Sequence, residues 1–180
     1  MEFYTKYFKE LSSAIENVDH EHLNQASILI EDTANNNGKI IIAGNGGSAA
    51  MASHVAVDFT KAAQIRAINF NEADLITCFA NDYGYENWVS ESLKAYADPA
   101  DLVILISSSG QSENITNAAL QASNMGNKII TLSGFDSINP LRSLGDINFW
   151  IDSKNYNYVE MTHHIWLLAI CDHVIARKNT

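Results

Sequence analysis

Ile40-Ile41-Ile42-Ala43-Gly44-Asn45-Gly46-Gly47-Ser48 is the stretch whose reading decides the fold. An apolar run meets three glycines within four positions, and a small-residue helical pattern, Ala49-Ala50-Met51-Ala52-Ser53-His54, begins at once. Glycines let the backbone turn tightly and bring its N–H groups to the surface. Ser48 is placed to cap the helix that follows, and the open N–H groups at that end attract anions. The pattern returns at Leu102-Val103-Ile104-Leu105-Ile106, followed by Ser107-Ser108-Ser109-Gly110-Gln111-Ser112. Two strand–loop–helix units with oxygen-rich loops point to one pocket for a phosphorylated, hydroxyl-rich ligand.

Working outward, the apolar spacing predicts helices over 2–17 and from Asp19 or His20 to about residue 33. Strands follow at 39–43, 66–70, 102–106, 128–132 and 147–151. Helical patterns occupy 49–62, 75–79, 86–96, 112–125 and 157–176, with a helical turn at 140–144. Strands that are apolar throughout and separated by helices indicate a parallel sheet covered on both faces. Such sheets bind ligands at the carboxyl ends of their strands, where both loops fall. The expectation is a single domain over residues 1–180, with N-terminal helices in 1–37 and an α/β core in 38–180. The two leading helices have no strand of their own, so they pack on the sheet or against another subunit.

A net charge of −10 argues against a sequence-independent nucleic-acid binder, which needs a basic stripe to neutralise phosphates. Cys78 and Cys171 stand in no paired spacing and read as reduced, buried thiols. No apolar run approaches ~18 residues, and the N-terminus lacks signal-peptide character. The chain is therefore expected to be soluble and cytoplasmic, with no membrane or nucleic-acid partner.

Residues 44–49 formally satisfy G-x-G-x-x-G/A, but the acidic residue a dinucleotide requires about 20 positions later is absent until Glu72. A dinucleotide loop, a structural tight turn and a sugar-binding loop using Asn45 and Ser48 all remain open, the last being favoured. The serine loop is more specific, a nest of short donors at a helix N-terminus around one anion. Its bland alternative is a loop that only caps its helix. No lysine follows it, so no nucleotide triphosphate is implied.

His54 and Asp58 sit four apart, as do Glu160 and His164 with His163 adjacent. Two acid–imidazole pairs suit proton transfer or a mixed N/O metal site, the alternative being ordinary surface pairs. Asn81-Asp82 is read in a loop over 80–85, where Asp82 meets a sugar hydroxyl or caps the turn. Trp88, Trp150 and Trp166 read as core or interface anchors.

Together these motifs resemble the sugar isomerase (SIS) family, in particular its phosphoheptose isomerases. The resemblance rests on 44–48 with His54, Asn81-Asp82 before Gly84, 107–112, 128–134, and Glu160-Met161-Thr162-His163 with Cys171-Asp172. It implies a flavodoxin-like three-layer sandwich with a five-stranded parallel sheet and an N-terminal helix pair, assembled as a homotetramer with sites at subunit interfaces. The implied reaction converts sedoheptulose 7-phosphate to an aldoheptose 7-phosphate for lipopolysaccharide or capsule synthesis, without a nucleotide cofactor. It implies substrate contacts from Asn45, Gly46, Gly47, Ser48, Asn81, Asp82, Ser107, Ser108, Ser109, Ser112 and Glu160. Some members also bind one zinc ion per subunit, which carries over here as His54, Asp58 and Glu160.

The match breaks where protons move. Asp58 holds the place of the family's catalytic glutamate, Glu160 that of a glutamine, Asn157 that of an aspartate, and Leu168 that of the catalytic histidine. Asp58 with His164, one turn before Leu168, is the proton-transfer pair expected here. The alternative is a non-catalytic phosphosugar-binding or protein-binding tetramer of the same fold.

Overall fold

The computed structural model describes residues 1–178. Five parallel strands, β1 (Ile40–Gly44), β2 (Ala67–Asn69), β3 (Leu102–Ser107), β4 (Lys128–Ser133) and β5 (Ile147–Trp150), form one sheet in the order β2-β1-β3-β4-β5. The Ile/Leu/Val runs of β1 and β3 are buried along their whole length, as a sheet covered on both faces demands.

Strand alternation sends Ile40, Ile42, Leu102, Ile104 and Ile106 to one face and Ile41, Ala43, Val103 and Leu105 to the other. The first face is covered by α2 (His20–Asn35), α3 (Gly47–Lys61) and α7 (Tyr156–Lys178), and the second by α4 (Ala73–Tyr83), α5 (Trp88–Tyr96) and α6 (Glu113–Asn124). The outcome is the three-layer sandwich expected from the sequence. Trp88 and Trp166 are core anchors as expected, and Trp150 carries the Arg142 guanidinium over its ring.

The leading helices differ in what they cover. α2 packs on α7 and the sheet, whereas α1 (Glu2–Glu16) packs mainly on α7 and buries none of its residues. Phe3, Tyr4 and Phe8 of α1 face solvent.

Chain order and spatial order part company at β1. The chain leaves β1 for β2 on one side, then returns to build β3 on the other. This is a topological switch point, where the loops leaving adjacent strands diverge and open a crevice. Gly44 pairs with Ile106 in the β1–β3 register, so the glycine loop and the serine loop start side by side.

Three local expectations are corrected. The 80–85 segment is not a loop at its start, because the apolar run Leu75, Ile76, Phe79, Ala80 carries α4 on through Tyr83. Gly84, at φ +85°, ends the helix there. Cys78 is exposed on that helix, while Cys171 is buried as expected. Ser48 does not cap α3; Gly46, at φ +54°, holds the N-cap position and Ser48 is buried inside the first turn.

At the opposite end of the sheet, buried Asp101 accepts from the Lys39 and Asp98 backbone N–H groups and pairs with the Lys39 ammonium. Burial works against the Lys39 charge, but hydrogen bonds to Asp101 and Asp98 outweigh it and raise that amine above its usual value. Removing the carboxylate strands a buried cation and two N–H donors. Asp101→Ala is therefore expected to lower unfolding stability by about 3 kcal/mol in urea denaturation.

Candidate functional site

The serine loop is held by bonds that leave its hydroxyls pointing inward. Gly110, at φ +66°, allows the tight turn in which its N–H reaches the Ser107 carbonyl at 2.9 Å. Ser107 Oγ donates to Ser112 Oγ at 3.0 Å, and Ser109 Oγ accepts from the Gln111 N–H at 3.2 Å. Asn139 lies where any Gly110 side chain would go. Its amide donates to Ser133 Oγ and to the Gly134 and Asp136 carbonyls, and its oxygen accepts from the Arg142 N–H. The buried Ser108 hydroxyl has no partner among the described residues.

The glycine loop is fixed from across the crevice. Asn45 and Asn114 form a reciprocal amide pair, each Nδ2 donating to the other's Oδ1 at 2.9 and 2.8 Å. The Tyr85 hydroxyl donates to the same Asn45 oxygen at 3.1 Å. Gly47 carries no side chain because the Glu160 carboxylate of α7 occupies that space.

These pieces enclose a cavity of about 210 Å³, lined by Asn45, Ser48, Ser107, Ser108, Ser109, Ser112, Tyr156 and Glu160 over the end of Ile106. Among the described residues no lysine or arginine lines it. Its positive character comes from neutral donors and from the N-termini of α3 and α6, which begin beside it. That is the chemistry of a monoanion or phosphate site rather than of a polyphosphate site.

A second polar cluster runs along the seam between α3 and α7. His164 Nε2 lies 2.9 Å from His54 Nδ1, and His54 Nε2 lies 3.4 Å from the Asp58 carboxylate. Burial and the neighbouring His54 ring hold the His164 imidazole below its ordinary value, against the opposing pull of Asp58. The pairing differs from the expected one. His54 and Asp58 meet, but His164 turns to His54, while Glu160 goes to the glycine loop.

The donor set His54, Asp58 and Glu160 does not converge on a point. His54 directs one ring nitrogen to Asp58 and the other to His164, which makes a line of groups rather than a cage. Among the described residues, no three His, Cys, Asp or Glu side chains form a group suited to a metal ion. The zinc site carried over from the resemblance does not fit this chain's own residues.

The structure thus gathers Asn45, Gly46, Gly47, Ser48, Ser107, Ser108, Ser109, Ser112 and Glu160 at one crevice. It keeps Asn81 and Asp82 away from the cavity lining. They sit exposed on the last turn of α4, where Asn81 Nδ2 donates to Asp82 Oδ1 and Cys78 faces the same carboxylate. Asn114, Tyr85 and Tyr156 were not read from the sequence. The Asn45–Asn114 contact spans 69 residues, and no spacing rule marks it.

The SIS domain family profile matches residues 3–134. The chain belongs to the SIS domain family. It is 33% identical over 168 residues to a phosphoheptose isomerase of Helicobacter pylori, covering 88% of this chain and 87% of that one. It is 32% identical to the phosphoheptose isomerase of Syntrophotalea carbinolica, over 92% of this chain and 89% of the relative. The solved phosphoheptose isomerase GmhA from Neisseria gonorrhoeae superposes with a TM-score of 0.89 at 28% identity, covering 97% of this chain and 98% of that one. Leu168 packs against the core.

Beside the seam lies His163, fully buried, with Nε2 3.0 Å from the Ser133 carbonyl. Burial pushes its pKa down to about 4, the bond to Ser133 opposing only part of that. The unfolded chain takes up this proton near pH 6.5, and the folded chain only near 4. Stability from the neutral ring is therefore complete above pH 6.5 and is lost as pH falls toward 4, a loss of about 3 kcal/mol. Unfolding curves recorded between pH 7 and 4 are expected to show that loss, and His163→Gln to flatten it.

Proposed function

We propose that this SIS domain protein is a ketose–aldose isomerase of the phosphoheptose type, acting on sedoheptulose 7-phosphate. The observation that carries the reading is the buried, unpartnered Ser108 hydroxyl in a cavity closed by Ser107, Ser109, Ser112 and the α6 N-terminus. A buried hydroxyl without a partner is costly, and a phosphate oxygen satisfies it. The relatives named phosphoheptose isomerase support the substrate class.

In this reading the serine loop holds the phosphate, while Asn45 and Ser48 meet sugar hydroxyls. Isomerisation moves only protons between adjacent carbons and oxygens, so it calls for no nucleotide cofactor. The line Asp58–His54–His164 is the expected proton carrier: Asp58 holds the His54 ring, and His54 holds His164, one turn beyond Glu160 on α7. No step is assigned to a zinc ion, for which the donors do not converge.

The exposed aromatic face of α1 supports the homotetramer that the family resemblance implies, since patches of this kind are usually covered by a partner. The exposed free thiol of Cys78 supports a reducing, cytoplasmic location. The aldoheptose phosphate product would feed lipopolysaccharide or capsule heptose synthesis.

With sedoheptulose 7-phosphate in deuterated water, the protein is expected to form aldose and to exchange deuterium at the carbon next to the carbonyl. Absence of both across several ketose phosphates would overturn the reading. His164→Ala is expected to slow exchange by about 100-fold or more, the usual contribution of a positioned acid–base group. Ser109→Phe or Ser112→Phe is expected to abolish phosphosugar binding in calorimetric titration. Unchanged affinity would refute this placement of the phosphate.

A further inference from the structure

Accepting the isomerase reading, on which this step rests, the chain must still supply a base for the carbon-bound proton. Asp58 is poorly placed for it. It lies eleven residues beyond Gly47 on α3, a distance of about 16 Å along the helix axis. It also faces His54 and is absent from the cavity lining. Leu168 has no proton to exchange. Among the lining residues only Glu160 and Tyr156 are ionisable, and only Glu160 carries a carboxylate.

Glu160 is built into the cavity rather than merely near it. Gly47 lacks a side chain where the carboxylate rests, which lets Glu160 lie against the first turn of α3. Open N–H groups at that end attract negative charge. The α6 N-terminus, one strand away, is left for the phosphate, so two anions occupy two helix ends without competing. Among the described residues no hydrogen bond or ion pair engages the Glu160 oxygens, and they are free to accept a proton. His164 follows one turn later on α7, with its ring on His54.

We propose that Glu160, not Asp58, is the catalytic base that carries the proton between C1 and C2 of the ketose phosphate. The carboxylate takes a C1 proton, and the C1–H bonding pair becomes the C1=C2 double bond. The C2 carbonyl oxygen takes a proton from the His54–His164 pair, giving the enediol. The O1 hydroxyl then returns a proton to that pair as C1=O1 forms, and the Glu160 carboxyl delivers its proton to C2. Protons and electrons balance with no outside reactant.

The test compares Glu160→Gln with the native protein, using sedoheptulose 7-phosphate in both assays: calorimetric binding and solvent-deuterium exchange at C1. Glu160→Gln keeps the side chain's size and is expected to bind within a few-fold of native while exchange falls at least 100-fold. Asp58→Asn is expected to retain more exchange than Glu160→Gln. Gly47→Ala, which pushes the carboxylate out of its place without altering it, is expected to slow exchange. Exchange by Glu160→Gln within threefold of native overturns the assignment. So does loss of binding together with exchange, which would make Glu160 a binding group only. A native protein that binds the sugar phosphate but exchanges nothing instead overturns the isomerase reading itself.

Discussion

The pairing of β1 with β3 is the constraint on which the site depends. Because Gly44 stands opposite Ile106, two chain reversals with different tasks begin within one strand spacing of each other. Neither loop could make a pocket alone. The glycine loop offers backbone and one asparagine, and the serine loop offers hydroxyls. Only a sheet whose chain order switches at β1 sets them face to face, with the helices that follow aiming their N-termini into the same space.

Electrostatics explains why such a site needs no cation of its own. The chain carries a net charge of −10, which on average repels a phosphate. Local donors prevail because they act at contact distance in a half-closed cavity, where the effective dielectric is lower than in water. Neutral donors also leave the Glu160 carboxylate without a competing basic partner in the lining. A lysine or arginine placed there would hold the phosphate and capture the carboxylate as well.

Much of this was legible in the sequence, for a definite reason. The strands, the two loops and the helices after them are set by local apolar period and turn chemistry, which the residues 40–48 and 102–112 display openly. What was misread depends on competition between neighbours. Asn81 and Asp82 look like loop residues, yet the apolar face of α4 carries the helix past them to Gly84. Glu160 and His164 look like a pair, yet each finds a better neighbour on α3. The amide pair of Asn45 with Asn114 was beyond reach, since nothing local announces a contact made by folding two distant segments together.

Asn139 fills the space beside Gly110, and its effect extends to the readiness of the serine loop for an anion. By tying Ser133, Gly134, Asp136 and Arg142 to the turn, it makes the serine loop part of the sheet's rigid edge. A loop already frozen in its bound shape loses little freedom when an anion arrives, so its affinity is not diluted by ordering. Hydroxyl donors of this kind read an anion's oxygens and not the carbon chain attached to them. Discrimination among sugars then falls to the open end of the crevice, where exposed Tyr156 and Tyr85 stand at the rim.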